Sequence, residues 1–357
     1  MAIFERTTPE ACGIDSRGIL AFLEELPYPG QETHHFMLLR HGKVVSEGSW
    51  APYQPGARHV LYSVSKAFLS SAVGLLAGEG KCRLSDRLVD FFPEYRALAA
   101  PGVEEIRVEH LLTMATGQKT DARVHVVESP ACEPQDRLAA FFATPATAPG
   151  TLFHYDGAAS YALSRLVTRL TGQGLDDFLQ SRLLEPLGIR RPYYERCPAG
   201  YCLGATGMMV SIEEMAALGQ LYLQQGKWKG RQLLPASWVE QATARHIATD
   251  HVTTGPDWQM GYCYHFWRGR HNTYRFCGAY GQMCVILPEL DALFLVQSAY
   301  DNNKLYTILD SFYARLLPAF HESPLPEQES ARQAVQALFS AAKAPENAKP
   351  IEEWERL

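Results

Sequence analysis

The sequence predicts an α+β protein in which an antiparallel β-sheet is flanked by helices and carries an inserted, mostly helical domain. Three observations lead there. Runs with the two-residue period of strands lie near both ends of the chain, helical periodicity fills the stretch between them, and 357 residues, 46% of them apolar, can bury a core large enough for two packed parts. Residues 1–80 and 205–321 are therefore read as one discontinuous sheet domain, 81–204 as the helical domain, and 322–357 as a polar C-terminal tail with one short amphipathic helix. A cleft is expected where the two domains meet.

In chain order, Asp15 can cap a first helix whose apolar positions are Leu20, Phe22, Leu23 and Leu26. HFMLLRHGKVVSEGSW follows, two β-rich runs about His41-Gly42 that read as a hairpin. After YSVSK at 62–66 the pattern turns apolar nearly all round (Ala67, Phe68, Leu69, Ala72, Val73, Leu75, Leu76), as in a helix at the middle of a core, and Gly78 and Gly80 end it. DRLVDFFPEY, VEHLLTMATG, DRLAAFFA, AASYALSRLVTRLTG and LDDFLQSRLLEPLG then read as helices, the last two stopped by Gly172 and Gly188. Two further helices, IEEMAALGQLYLQQG and PASWVEQATARH, precede a meander of QMGYCYHFW, NTYRFCG, QMCVILP and DALFLVQS, with Pro288 to Asp291 as a turn. NKLYTILDSFYARLLPAF closes the domain as a helix.

A net charge of -6 from 33 basic and 39 acidic residues, without long runs of either sign, leaves no footprint for nucleic acid. The N-terminus lacks the pattern of a secretory signal and no window approaches the roughly 20 apolar residues that span a bilayer, so no membrane partner and a cytoplasmic location are expected. Eight cysteines without a CxxC pair fit buried thiols in a reducing compartment. Cys197 and Cys202 could bridge or hold a metal, but no His pair accompanies them, and no metal is expected.

Serine is a poor nucleophile unless a base stands within hydrogen-bond reach. In the first turn of a helix Ser63 and Lys66, three residues apart, share one face. The positive end of the helix and burial both disfavour the charged ammonium, which leaves an amine able to take the hydroxyl proton. The tetrapeptide alone proves little, because Ser340-Ala-Ala-Lys343 repeats it in the polar tail, and a serine cap beside a solvated lysine would read the same way. Tyr155, in PGTLFHYDGAASYAL, stands at another helix start after a Pro-Gly turn, where a phenol can relay protons or simply pack its ring. Gly278 and Gly281 in RFCGAYGQ mark either a close backbone approach or a β-bulge; in the first case the Ala279 and Ser63 N–H groups would form an oxyanion hole. Tyr62, Phe153, Tyr264, Phe266, Trp267 and Tyr280 favour an apolar acyl or alcohol group wherever they are not core.

Taken in order, YSVSK, VEHLLTMATG, PGTLFHYDGAASYALSRLVTRLTG and FCGAYGQ followed by PELDALFLV resemble the serine β-lactamase and penicillin-binding-protein superfamily over about residues 10 to 320, most closely its class C β-lactamase-like branch of esterases, D-amino-acid peptidases and amide-oligomer hydrolases. The resemblance implies a β-lactamase/transpeptidase-like fold and an acyl-enzyme mechanism built on S-x-x-K, Y-x-N and K-T-G or H-x-G, without cofactor or metal. It makes Ser63 the nucleophile, Lys66 its proton acceptor and Tyr155 the tyrosine of the second element; Gly278 matches the glycine of the third, and Ala279 follows as backbone donor. Asp156, Gly157, Phe276, Cys277, Gly278 and Tyr280 are the expected substrate contacts. Two positions depart from the pattern. Gly157 replaces the asparagine, and Phe276 replaces the cation that helps hold the substrate carboxylate in relatives cleaving β-lactams or D-Ala-D-Ala peptides, although Arg275, Arg268, Arg270 or His271 could reach the cleft. The expected function is hydrolysis of a small ester or amide, the alternatives being a D,D-peptidase or β-lactamase and a non-catalytic sensor on the same fold.

Overall fold

The computed structural model describes residues 2–26, 31–119 and 136–341. Its main sheet has seven strands: β1 (Glu5–Arg6), β2 (Glu32–Arg40), β3 (Lys43–Ser49), β4 (Trp267–Arg268), β5 (Tyr274–Gly278), β6 (Gln282–Leu287) and β7 (Ala292–Ala299), in the order β1-β3-β2-β7-β6-β5-β4. The N-terminal hairpin and the C-terminal meander thus meet along β2 and β7, where Leu38 faces Phe294. The sheet is antiparallel as expected, with one parallel pairing, β1 with β3, at its edge. His41 and Gly42 both have positive φ (54° and 70°), as a two-residue hairpin turn twisted to match its strands requires.

Strand alternation decides what covers each face. Phe36 on β2 and Phe294 on β7 point to the side where Phe22 of α1 (Ser16–Glu25) packs, with Phe22 and Phe294 edge to face at 5.3 Å. The opposite face, with Cys284 and Leu293, receives α4 (Ile212–Leu223) so closely that a Cβ on Gly219 would lie 2.7 Å from the Cys284 sulfur. Beside it runs α2 (Ser65–Gly78), buried on almost every side as its composition predicts, against α3 (Gly157–Thr171) of the helical region. Burial of so many apolar side chains, at about 25 cal/mol per Å², makes α2 the axis on which both parts are built.

The C-terminal stretch differs from the expected polar tail. Helix α5 (Glu329–Ala341) docks on the sheet domain: Phe339 is 9% exposed and stands edge to face with Trp50 at 4.7 Å, and Arg332 bonds the fully buried Glu10 at 2.8 Å. Gly48 leaves the room, since a Cβ there would lie 2.3 Å from the Phe339 ring. Amphipathicity was legible in these residues; the partner surface was not. Lys343, of the second Ser-x-x-Lys, lies outside the described residues, as does Cys132.

Candidate active site

Ser63 stands in a single 3-10 turn, Tyr62–Val64, that runs directly into α2. Tyr62 has φ 47°, a left-handed conformation that costs a non-glycine residue about 1 kcal/mol or more and aims the chain into the turn. Lys66, 3% exposed, places Nζ 3.0 Å from Ser63 Oγ and 2.8 Å from the carbonyl oxygen of Ala205, with the Tyr155 ring centroid 4.9 Å away. Spacing and helix start together put the amine within hydrogen-bond reach of the hydroxyl.

Tyr155 lies in the extended segment just before α3 rather than on the helix; Asp156 is the N-cap, accepting from Ala158 N–H at 2.8 Å, and Gly157 is the first helical residue. The Tyr155 ring stacks on Trp267 (5.9 Å, 18°) and meets Tyr262 edge to face at 6.2 Å, with Phe153 closing the group 5.3 Å from Trp267. Burial holds the Tyr262 phenol well above its usual range, so it is a neutral wall.

The third segment comes from β5. A Cβ on Gly278 would lie 2.3 Å from the Leu61 carbonyl oxygen and 3.2 Å from Ser63 N, so only glycine lets the end of the strand come this close to the serine turn. Ala279 to Gly281 then reverse the chain into β6 with positive φ at Tyr280 (61°) and Gly281 (88°). This turn is pinned: Tyr280 N–H donates to Asn302 Oδ1 at 2.9 Å, and Ser298 Oγ donates to the Tyr280 and Gly281 carbonyls at 2.9 and 3.0 Å. Tyr280 remains 44% exposed, its ring edge-on to Tyr62 at 5.1 Å.

Not every expected contact faces outward. Phe276 is 1% exposed and packs edge to face on Phe266 at 5.9 Å; Asp156 is 2% exposed and serves its helix, and Gly157 is buried. Phe266 and Tyr264 are core, whereas Tyr62 and Tyr280 lie at the mouth. Cys277, half-buried beside Gly278, has a thiol pushed up by burial and stays protonated, not a rival nucleophile. The arginines named as substitutes for the missing cation are occupied along the outer meander. Arg270 pairs with Asp257 at 2.8 Å and Asp310 at 2.6 Å; Arg275 is 1% exposed, bonded to the Arg268 and Asp257 carbonyls; Arg268 bonds Thr243 and Asn272; His271 rests on Tyr313. Cys197 and Cys202 are free thiols with separate partners, Tyr161 and Asp176.

Two groups escaped the sequence reading. The Ala205 carbonyl that receives Lys66 lies in the loop LGATG, whose glycines 204 and 207 both have positive φ (70° and 84°); that glycine spacing was its only available signal. His265 was passed over as one residue of a meander, yet it is 3% exposed and sits behind Lys66.

A sheet and a helical region with a buried lysine delivered to a serine at their junction define a serine hydrolase of the penicillin-recognising architecture. The chain belongs to the beta-lactamase family, whose model matches residues 35–314. It is 25% identical over 293 residues to the 6-aminohexanoate-dimer hydrolase of Paenarthrobacter ureafaciens, covering 75% of this chain and 73% of that one. Among solved structures, a Bacillus anthracis protein provisionally assigned as a 6-aminohexanoate-dimer hydrolase superposes with a TM-score of 0.70 at 19% identity, covering 91% of this chain and 89% of its own. A penicillin-binding protein homologue from Caulobacter crescentus gives 0.66 at 18% identity, covering 85% and 98%. No helix among the described residues is long and apolar enough to cross a membrane.

Proposed function

We propose that this chain hydrolyses a small ester or amide lacking a carboxylate beside the scissile bond, through an acyl-enzyme on Ser63. The observation that carries it is the 3.0 Å contact between Ser63 Oγ and the buried Lys66 Nζ. In the neutral form the amine accepts the hydroxyl proton as Oγ attacks the carbonyl carbon. The N–H groups of Ser63 and Ala279, brought together by Gly278, hold the oxyanion of the tetrahedral intermediate. The Tyr155 phenol, its ring against Lys66, passes a proton to the leaving oxygen or nitrogen, and water then enters by the reverse route to release the acid. Cys277 and Tyr280 remain as substrate contacts on the cleft side; Phe276, Asp156 and Gly157 act by shaping the framework. Buried Phe276 and the occupied arginines support a substrate without a carboxylate beside the scissile bond, and the relative named as a 6-aminohexanoate-dimer hydrolase supports an amide. The seven cysteines among the described residues are free thiols, which fits the reducing cytoplasm as its location.

The test is a panel of p-nitrophenyl esters, linear ω-amino-acid amides, D-amino-acid amides and nitrocefin, with fluorophosphonate labelling and a Ser63→Ala control. Turnover of esters or linear amides, at least about tenfold faster than nitrocefin, with a mass shift confined to Ser63, is the expected outcome. An unlabelled wild type, or nitrocefin as the best substrate, overturns the reading.

A further inference from the structure

His265 sits on a strained backbone (φ 67°) with its side chain 3% exposed, a combination that persists only where the surroundings over-determine it. Its contacts gather the elements that carry the candidate catalytic groups. Nδ1 lies 3.2 Å from the carbonyl oxygen of Lys66, Nε2 lies 3.5 Å from Ser160 Oγ on α3, and its own N–H donates to the Leu112 carbonyl at 3.1 Å. The segment after Leu112 leads on to Tyr155, since Met114 O accepts from His154 N–H at 2.8 Å and Met114 Sδ from Asp156 N–H at 3.4 Å. One residue thus joins three segments: its ring meets the lysine turn and the helix after the tyrosine, and its main-chain N–H meets the segment that leads on to the tyrosine.

The chemistry of these partners selects a tautomer. The Lys66 carbonyl oxygen only accepts, so Nδ1 carries the proton toward it; Nε2 then accepts from the Ser160 hydroxyl at 3.5 Å, with the Leu111 carbonyl a second main-chain acceptor near the ring. Burial presses the imidazole down to about 3, so the ring stays neutral and keeps this one-donor, one-acceptor arrangement throughout the working range.

We propose that His265 is a positioning residue for Lys66: its Nδ1–H fixes the first turn of α2 so that Lys66 Nζ stands at hydrogen-bond distance from Ser63 Oγ. Lys66 Nζ bonds Ser63 Oγ and the Ala205 carbonyl and lies over the Tyr155 ring, and a long lysine side chain transmits a shift of its main chain to Nζ. A displacement of about 1 Å in such a pair costs as much as about a hundredfold in rate. The inference rests on Ser63 and Lys66 acting as proposed above.

Two substitutions of similar size separate this role from a structural one. In His265→Asn the side-chain amide NH2 falls where Nδ1 was; in His265→Gln it falls where Nε2 was. Each is assayed for kcat and KM on the best ester, for the rate of fluorophosphonate labelling, and for Tm. His265→Asn is expected to keep kcat within about threefold of wild type, while His265→Gln loses about ten- to a hundredfold in kcat and labelling rate with KM nearly unchanged, at equal Tm. Should both variants be too unstable to assay, Ser160→Ala provides the test: loss of the hydroxyl frees the tautomer and lowers kcat several-fold without moving KM. Equal kcat in the Asn and Gln variants, loss that follows Tm, or an unchanged Ser160→Ala where it is the variant assayed, overturns the proposal. A wild type that fluorophosphonate does not label instead refutes Ser63 as the nucleophile, which separates the two failures.

Discussion

Two Ser-x-x-Lys sequences occur in this chain, and they differ in which end of a helix they meet. Ser63 precedes α2, where the first backbone N–H groups have no partner within the helix, and Lys66 is buried. Ser340 lies near the end of α5, exposed, and its hydroxyl donates to the Gln336 carbonyl one turn back, at 3.1 Å. There the hydroxyl proton is spent on the helix itself and the nearby N–H groups are already bonded, so neither an activated nucleophile nor an oxyanion site can form. What sets the candidate nucleophile Ser63 apart from Ser340 is therefore the supply of free donors and a buried lysine, neither of which the tetrapeptide encodes.

The strongest way to break that comparison is to remove the base. Lys66→Ala should lower single-turnover acylation by p-nitrophenyl butyrate by about 10³-fold or more, because the Ser63 hydroxyl is left with no acceptor of comparable basicity at 3.0 Å. A loss under tenfold would mean that the buried lysine is structural. Next in size is the donor side. Gly278→Ala keeps a φ that any residue adopts (-118°) but drives a methyl into the Leu61 carbonyl, and should cost about 10²-fold in kcat, the scale of one lost oxyanion donor. Unchanged kcat in that variant, with an unchanged Tm, would remove β5 from the oxyanion site.

The same comparison shows how far the sequence could be read. The hairpin at His41-Gly42, the buried α2 and the meander were legible because side-chain period and turn residues are local properties. The three segments of the candidate site could be located in the same way, as a serine at a helix start, a tyrosine just before another and a glycine in a strand. Phe276 was misjudged as a cleft residue because the face a strand residue takes is set by its pairing, Phe276 opposite Cys284, and not by its own identity. Ala205 was invisible because its contribution is a backbone carbonyl, which every residue has. The docking of α5 on Trp50 and Phe36 depends on a distant partner surface that amphipathic periodicity does not name.

A smaller, pH-dependent effect is expected from the buried surroundings of the Ser63 turn. The register between β2 and β7 shifts at Gln297/Ser298, leaving His34 as the extra residue of a bulge, so that His34 and His35 both meet His59, three residues before Tyr62. Tyr53 stacks on His34 at 3.7 Å. Burial and mutual repulsion press His34 to about 3 and His35 to about 4, and burial alone brings His59 to about 4. Below the unfolded value near 6.5 the unfolded chain binds protons that the folded one refuses, so stability falls as pH drops through this window toward 4, by up to about 1.4 kcal/mol per pH unit for each imidazole. Urea midpoints between pH 7 and 4.5 should show this slope, and His34→Phe, which keeps a ring on Tyr53, should flatten it by about one proton. A slope identical in the variant would assign the acid sensitivity to other groups.

The least effect is expected at the second copy. Ser340→Ala removes one exposed hydroxyl bonded to its own helix, so kcat should stay within about twofold of wild type and stability within about 0.5 kcal/mol, the range of ordinary surface substitutions. Measured beside Ser63→Ala under one fluorophosphonate assay, it holds residue type, motif and chain constant and varies only helix position and burial. Labelling of Ser340 in the Ser63→Ala background would show that a serine at the exposed end of a helix can be activated without buried base or free donors, and the explanation offered for the reactivity of Ser63 would then fail along with it.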